Sequence, residues 1–376
     1  MKPCRILSIS DLHLGHHRVP SEIILNRFYE YVMPHLPTVD LLLISGDVFD
    51  RSLQLTDRDT RLIISWILDI FKLADAHNIY IRLIRGTYSH DRDQSTIFQT
   101  LHEKHGYTSS FKYVNHLDIE YIEAFDLKLL YLPDDLPYAS ADDCLKAVQH
   151  CLNQVQWTTV DYVMCHGYFE HVLPPNIPTK PKVTYAIQQF SFVQRYVLCG
   201  HIHEQSAEEH VLYNGSFERL AHNEESPKGC YLIDDDGTKA SIHFIENKDA
   251  STFHTIDVST YDTADEAISA YLEALKPCLY REHSTHIRAI HANVEVRNAL
   301  RSITRKKYPH IDFSVKTPKL KKSQEEKTDT LPEDDLQYLS APLRDALPDM
   351  VLAFLDKSPE TLTSDRIRHH LNTTEL

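Results

Sequence analysis

The chain contains only nine glycines in 376 residues, which is about a third of the share usual in globular proteins. Glycine takes left-handed backbone conformations freely, so a chain with few glycines is expected to use them where the backbone geometry requires them. Gly46, Gly167 and Gly200 each stand next to an Asp or a His that follows an apolar run. The scarcity of glycine therefore directs attention to the ends of these runs.

Several other features are missing, and each absence narrows the class of protein. The seven cysteines are an odd number with no Cys-x-x-Cys pair, which favours a reducing compartment over a disulfide-bonded secreted protein. The N-terminal apolar run is too short for a signal peptide, and no run approaches the length of a membrane span. We expect a soluble, cytoplasmic protein without a membrane partner. A net charge of −15 excludes a surface that is basic throughout, so a nucleic acid would need a local basic patch or metal ions.

Apolar runs and amphipathic segments alternate at the start of the chain, which predicts an α/β core with parallel strands. Strands are expected at 5–10, 39–45 and 79–84, with helices at 21–33 and 56–78. Further strands are predicted at 119–123, 127–132, 160–165, 195–199, 211–213 and 229–234. Together these segments predict one sheet-rich α/β domain over residues 1–248.

The remainder of the chain has a different pattern and divides into three parts. Residues 249–317 alternate strands and helices in a small α+β domain, in which Thr263 and Glu266 predict a capping box. Residues 318–335 are a charged linker, and residues 336–376 form short amphipathic helices. The apolar face of this tail either packs on the chain's own core or binds a groove of a partner protein.

Five predicted strands end in an Asp or a His, at the edge where open α/β sheets place their sites. The side chains concerned are Asp11, His13, Asp47, His90, Asp91, His166, His201 and His203. Each motif alone is typical of a helix cap, a turn or a core histidine. All five motifs in this order, each after an apolar run, indicate a common site instead. Mixed imidazole and carboxylate ligands suit Mn²⁺, Fe²⁺ or Zn²⁺, and a shared carboxylate can hold two ions about 3.5–4 Å apart. Such ions activate a water for attack on a phosphoryl group, and a nearby imidazole can give a proton to the leaving oxygen.

The motifs Asp-x-His, Gly-Asp-x-x-Asp, Ser-His-Asp, His and Gly-His-x-His stand in the order of the calcineurin-like metallophosphoesterase superfamily. The chain resembles that superfamily from residue 1 to about residue 245. The resemblance implies a four-layer β-sandwich flanked by helices, with two divalent metal ions that we expect to be Mn²⁺. It implies one ion held by Asp11, His13, Asp47 and His203, and a second held by Asp47, His166 and His201. His90 would lie beside the scissile phosphate as a catalytic residue, oriented by Asp91.

The third motif departs from the family pattern, which has an Asn immediately before the His-Asp pair as a ligand of the second ion. This chain has Ser89 at that place, after the turn Gly86-Thr87-Tyr88. Three interpretations stay open: Ser89 ligates the metal directly or through water, Thr87 substitutes for it, or the second ion binds weakly. We expect a working site, because all the other ligands are present.

Within the superfamily, the chain is most similar to the SbcD type of DNA repair and recombination nuclease subunit, including its phage versions. The resemblance implies an exonuclease or endonuclease that forms a homodimer, a small domain that caps the site and guides DNA, and a tail that binds an SbcC-type coiled-coil ATPase. A basic run at 301–322, with a net charge of +7, includes Arg305, Lys306 and Lys307. It either contacts DNA phosphates or is a solvated helix and linker. The alternative functions are a phosphoesterase acting on small phosphodiesters, nucleotides or phosphoproteins, and a non-catalytic scaffold that retains the fold.

Overall fold

The computed structural model describes residues 1–54, 56–173, 181, 183–257, 263–275, 285–290, 294–307 and 311–316. The chain divides into two compact units, Met1–Pro318 and Lys319–Leu376. All described residues belong to the first unit. The linker predicted at 318–335 and the tail helices predicted at 336–376 therefore lie outside the described residues. The domain boundary predicted after residue 248 stays a prediction.

Helices and strands alternate at the start of the chain, as predicted. The α-helices are α1 (Ser21–Tyr31), α2 (Arg58–His77), α3 (Tyr88–Asp91), α4 (Thr96–His105), α5 (Ala141–Gln154), α6 (Ala264–Leu275) and α7 (Val294–Lys307). Short 3-10 helices cover Met33–Thr38, Glu170–Val172 and Ile187–Phe190. None of the described helices combines the length and the apolar character that crossing a membrane requires.

The described chain also contains seventeen strands. They are β1 (Cys4–Ile9), β2 (Leu41–Ser45), β3 (Tyr80–Ile84), β4 (Phe111–Val114), β5 (Asp118–Ile122), β6 (Leu127–Leu132), β7 (Val160–His166), β8 (Tyr168–Phe169), β9 (Thr184–Tyr185), β10 (Val193–Gly200), β11 (Ser206–Glu208), β12 (Val211–Tyr213), β13 (Gly229–Asp235), β14 (Ala240–Glu246), β15 (Thr252–Asp257), β16 (Thr285–Ile290) and β17 (Ile311–Lys316).

Two six-stranded mixed sheets form the body of the described structure. The first sheet has the order β14-β13-β1-β2-β3-β4, in which β1 to β4 run parallel and β13 is antiparallel to both of its neighbours. The second sheet has the order β11-β12-β10-β7-β6-β5, and its four central strands are parallel. A third sheet of three parallel strands, β15-β16-β17, follows along the chain, and β8 pairs with β9 alone. The α/β class predicted from the sequence is confirmed.

Strand β2 shows how the sequence determines the two faces of the first sheet. Leu41 and Leu43 pack in the core between the two large sheets, whereas Leu42 and Ile44 pack in the core beneath the helices. The whole strand is buried because both of its faces are covered. On the second sheet, α5 contributes Val148 to a third core with the outward-facing strand residues. Two large sheets flanked by helices therefore make up the architecture.

Helix α2 lies over the outer face of the first sheet, and the sequence predicts both its buried face and its end. Ile63, Trp66, Ile67 and Phe71 recur at helical spacing, and all four are buried. The helix ends where Asn78 takes a left-handed conformation with φ of 56°. The helix predicted at 56–78 is therefore confirmed, with a start at Arg58.

Candidate metal centre

Strands of both large sheets deliver His and Asp side chains to one place, at the carboxyl ends of parallel strands. The side chains are Asp11 and His13 after β1, Asp47 after β2, His90 after β3, His166 at the end of β7, and His201 and His203 after β10. Within the described residues, these side chains, together with Asp50, form three groups of potential metal ligands, the third of which consists of His13, Asp50 and His90. The first group is Asp11, His13 and His203, and the second group is Asp47, His166 and His201.

The backbone at four of these residues takes a conformation that side chains normally avoid. The angle φ is 52° at Asp11, 49° at His13, 49° at Asp47 and 92° at His201. A left-handed conformation costs a non-glycine residue about 1–2 kcal/mol, and it persists only where the surrounding structure holds it. Four such residues at one place indicate a functional site, where the placement of the side chains outweighs the cost of backbone strain.

The first group is joined to the second through one carboxylate. His13 Nε2 lies 3.0 Å from His203 Nε2, so two imidazole nitrogens face each other. The buried carboxylate of Asp11 accepts the backbone N–H of His201 at 3.0 and 3.1 Å, which ties the end of β10 to the end of β1. His13 Nε2 is also 3.7 Å from Asp47 Oδ2. Asp47, a member of the second group, therefore also borders the first.

The second group contains a hydroxyl in addition to its three predicted ligands. Asp47 Oδ2 lies 3.4 Å from His166 Nε2, which lies 3.3 Å from His201 Nδ1. Thr87 Oγ1 is 3.2 Å from Asp47 Oδ2, 3.3 Å from His166 Nε2 and 3.2 Å from His201 Nδ1. The Thr87 oxygen thus contacts all three members of the group.

The spacing and the chemistry of the donor atoms both fit a divalent metal ion. Two ligand atoms bound about 2.1 Å from one ion are themselves about 3.0–3.4 Å apart. The distances of 3.0 Å between His13 and His203, 3.3 Å between His166 and His201 and 3.4 Å between Asp47 and His166 match that range. Imidazole nitrogens mixed with carboxylate oxygens suit Mn²⁺, Fe²⁺ or Zn²⁺. The two groups could therefore hold metal ions.

Hydrogen bonds from outside the centre orient two of the imidazoles. His166 Nδ1 lies 2.7 Å from the carbonyl oxygen of Ser45, which can only accept, so Nδ1 donates and Nε2 faces the second group. His203 Nδ1 lies in the same way 3.0 Å from Glu224 Oε1, and Nε2 faces His13. Partners of this kind fix the tautomer and the ring orientation of metal-binding histidines.

The electrostatics of the second group favour a positive charge beside Asp47. Burial alone would lower the pKa of His166, but the carboxylates of Asp47 and Asp11 outweigh it and raise that pKa well above its usual value. Burial and the neighbouring His166 lower the pKa of His201 to about 3, so the His201 imidazole is neutral. The positive charge next to Asp47 is therefore supplied by a proton on His166 or by a bound cation, and each displaces the other.

A buried ion pair beneath His203 has no counterpart in the sequence predictions. Glu224 Oε2 lies 3.0 Å from Lys228 Nζ, and the Lys228 side chain is fully buried. Lys228 Nζ donates to the carbonyl oxygen of His203 at 2.6 Å and to Ser216 Oγ at 2.9 Å. Burial would raise the pKa of Glu224, but the bonds from His203 and Lys228 lower it to about 2. Glu224 and Lys228 together hold both the ring and the backbone of His203.

Replacing Glu224 with Ala should weaken metal binding at the first group by about 10- to 100-fold, which is the range typical for partners of metal ligands. The substitution removes the acceptor of His203 Nδ1, so the ring loses its fixed orientation. It also leaves the Lys228 ammonium buried without its counter-ion. Titration of the purified protein with Mn²⁺, followed by calorimetry, measures the change. Glu225→Ala is the matched control because Glu225 is exposed and is no member of the ligand groups. Equal affinities of the two variants would contradict the role of Glu224.

His90 borders the first group and is held by a backbone carbonyl. Its ring centroid is 5.0 Å from that of His13, and the two rings are perpendicular. His90 Nδ1 lies 2.8 Å from the carbonyl oxygen of Asp50. Because a carbonyl only accepts, Nδ1 carries a proton, and Nε2 is the atom that can exchange a proton with a reacting group.

The predicted role of Asp91 as the partner of His90 is corrected by the structure. The buried Asp91 carboxylate accepts backbone N–H groups of Gly86 at 2.7 Å, Phe49 at 3.0 Å and Asp47 at 3.1 Å. Burial raises the pKa of Asp91 to about 6, with a further contribution from the charge of Asp47. Asp91 therefore fastens the turn after β2 to the turn after β3, and it positions Asp47.

The predicted ligand Ser89 does not join the described centre. Ser89 is exposed on α3, and its side chain makes no hydrogen bond with the centre in the described part of the chain. The hydroxyl that reaches the second group belongs to Thr87, which immediately precedes α3. The turn of helix between Thr87 and His90 turns Ser89 out to solvent. Of the open interpretations, the substitution by Thr87 fits the geometry.

The predicted DNA-binding residues lie at the end of α7. Arg305 and Lys306 are exposed, and Lys307 is the last residue of the helix. Contact of these residues with DNA stays a prediction.

No family model matches this chain, and no curated protein matches it. Among solved structures, one chain is similar to this one with 12% sequence identity and a TM-score of 0.38. The match covers 65% of this chain and 99% of the other. The structure of TT1561 of Thermus thermophilus is similar with 11% identity and a TM-score of 0.35. That match covers 65% of this chain and 100% of the other. The functional assignment therefore depends on the geometry of the centre.

Proposed function

We propose that this chain is a two-metal phosphodiesterase of the calcineurin-like metallophosphoesterase type and that it acts on DNA. The observation that carries the proposal is the position of Asp47 Oδ2, which is 3.7 Å from His13 Nε2 and 3.4 Å from His166 Nε2. A carboxylate shared by two donor groups is the arrangement that holds two ions side by side. The two helix-flanked sheets also fit the four-layer sandwich that the resemblance implies.

The bound ions, which we expect to be Mn²⁺, would polarise the phosphoryl group and lower the pKa of a water molecule. His90 is the catalytic residue that the chain itself supplies, because its Nε2 can give a proton to the leaving oxygen. The carbonyl oxygen of Asp50 keeps Nδ1 protonated and holds the ring in place. Asp91 and Glu224 act as positioning residues, the first through the backbone of Asp47 and the second through His203.

Features outside the centre support DNA as the substrate. The third sheet and its helices occupy the region predicted as a capping domain, and Arg305 and Lys306 are exposed at the end of α7. On a chain with a net charge of −15, a local basic helix would contact DNA phosphates without reading the sequence. In this proposal the protein is the nuclease subunit of an SbcCD-type repair and recombination complex. It would work as a homodimer, with an SbcC-type coiled-coil ATPase bound to the tail at 336–376.

The test is Mn²⁺-dependent digestion of linear double-stranded and single-stranded DNA by the full chain, with and without its ATPase partner. We expect degradation, and we expect His90→Ala to slow it by about 10²-fold or more, the range typical for general acid–base groups. The same variant should keep the ions held by the first and second groups, measured by elemental analysis, because His90 belongs only to the third group, with His13 and Asp50.

His77→Ala is the matched control, since His77 is an exposed histidine at the end of α2. Loss of the bound metal from His90→Ala would contradict the role given to His90. Activity on a generic phosphodiester without DNA cleavage would replace DNA by a small phosphodiester as the substrate. Inactivity on both substrates, with metal and partner present, would favour a non-catalytic scaffold.

A further inference from the structure

Tyr88 is an aromatic side chain that the fold leaves in solvent beside the metal centre. The described part of the chain exposes three tyrosines among its large hydrophobic residues: Tyr29 at 38%, Tyr121 at 45% and Tyr88 at 46%. Tyr29 donates its hydroxyl to Asp69 at 2.9 Å, and Tyr121 donates to Asp126 at 2.6 Å. The Tyr88 hydroxyl has no hydrogen-bond partner among the described residues. A surface hydrogen bond thus accounts for two of these tyrosines but not for Tyr88.

A fixed cation lies against the ring of Tyr88. The guanidinium carbon of Arg85 is 5.8 Å from the ring centroid, which is within the range of a cation–π contact. Arg85 Nη2 donates to the carbonyl oxygen of Asp134 at 2.9 Å, which holds the guanidinium in place. Arg85 and Tyr88 therefore present two planar groups that stack well on other planar groups.

The backbone of Tyr88 adjoins the second ligand group. Tyr88 directly follows Thr87, whose Oγ1 lies 3.3 Å from His166 Nε2 and 3.2 Å from His201 Nδ1. A further aromatic ring, that of the half-buried Tyr168, lies 4.2 Å from the ring of His201. A phosphate bound at the second group would therefore have aromatic surface close to it.

We propose that Arg85 and Tyr88 form a stacking platform for the nucleobase attached to the phosphate that is cleaved. The inference rests on the proposed function and specifies which part of a nucleotide the centre recognises besides its phosphate. Stacking on an aromatic ring tolerates every base, because each base has a flat π-face. The platform would therefore distinguish a nucleotide from a sugar phosphate without distinguishing one base from another.

The experiment compares the binding of dAMP and of deoxyribose 5-phosphate to the full-length, Mn²⁺-loaded protein by calorimetry. We expect the wild-type chain to bind dAMP about tenfold more tightly, which is within the range for one stacked base. Tyr88→Ala should remove most of that difference while leaving the affinity for deoxyribose 5-phosphate unchanged. Tyr88→Phe should keep the difference, because the ring remains. Tyr121→Ala is the matched control, since Tyr121 is equally exposed on β5.

The outcomes separate this inference from the proposed function. Equal binding of dAMP and deoxyribose 5-phosphate by the wild-type chain would contradict base stacking on Arg85 and Tyr88, but it would remain consistent with phosphate binding at the metal centre. A tenfold preference that survives in Tyr88→Ala would also overturn the platform. Binding of neither compound would contradict the phosphate site and the platform together. Circular dichroism of Tyr88→Ala verifies that this surface substitution leaves the fold intact.

Discussion

Replacing Asp47 with Asn should remove at least one bound metal ion per chain and reduce phosphodiester hydrolysis by about 10³-fold or more. Asp47 Oδ2 lies between His13 Nε2 at 3.7 Å and His166 Nε2 at 3.4 Å, and a neutral amide cannot supply negative charge to both sides. Asn fits the same space and tolerates the left-handed backbone, where φ is 49°. The expected loss therefore comes from the missing charge rather than from misfolding.

Elemental analysis and a Mn²⁺ titration measure the metal content of the Asp47→Asn variant, and DNA digestion measures its activity. Asp126→Asn is the matched control, because Asp126 also has a left-handed backbone, with φ of 51°, and lies outside both ligand groups. A variant Asp47→Asn that keeps two ions and wild-type turnover would show that the shared carboxylate does not join two metal sites.

Gly86→Ala is expected to destabilise the fold by roughly 3 kcal/mol and to abolish metal binding at the second group. A Cβ at this position would lie 2.1 Å from Asp47 N and 2.2 Å from Asp47 Oδ1, far inside van der Waals contact. Relief would require the turn after β3 to move away from the turn after β2. That movement would stretch the bond of 3.1 Å from Asp47 N to Asp91 and the bond of 2.6 Å from Thr87 N to Asp47.

The control for this substitution is Gly106→Ala, which isolates the backbone effect from the steric one. A Cβ at Gly106 meets nothing within 4 Å, but φ is 67°, so the variant should lose about 1 kcal/mol through backbone strain. Denaturant unfolding of both variants gives the two free energies. If Gly86→Ala is no more destabilised than Gly106→Ala, the tight packing around Asp47 does not support the centre in the way described.

The sequence predicts the centre well where a residue directly ends a buried strand. Asp11, Asp47 and His166 each follow or end a run of apolar residues that is buried on both faces, and such runs are visible without a structure. Strands with one exposed face are harder to find. Strand β14 at 240–246 mixes buried and exposed residues at the edge of the first sheet, and the sequence pattern does not predict it.

The third motif shows a different limit of sequence reasoning. The motif order points to Ser89 as a ligand because Ser89 immediately precedes the His-Asp pair. The chain instead makes a single helical turn over Tyr88–Asp91, so position along the motif does not give position in space. Thr87, at the end of the extended segment before that turn, has the hydroxyl that reaches the centre. The local conformation of a few residues decides between these two hydroxyls, and no pattern in the sequence reports it.

Contacts between distant parts of the chain were beyond prediction for another reason. Glu224 is 21 residues from its partner His203 and belongs to no recognisable motif. Asp91 is predicted to orient its sequence neighbour His90, although its acceptor bonds go to the backbone of Gly86, Phe49 and Asp47. Both roles depend on how turns from different strands approach each other, which is a property of the folded sheets.

The two ligand groups have a consequence for how the protein is assembled. The first group combines Asp11 and His13 from one sheet with His203 from the other, and the second group combines Asp47 with His166 and His201 in the same way. Neither sheet alone carries all the donors of the first or of the second group, so a fragment containing one sheet could not reproduce these two groups. A bound ion would therefore link the two sheets through its ligands. A movement of one sheet relative to the other would separate those ligands and release the ion.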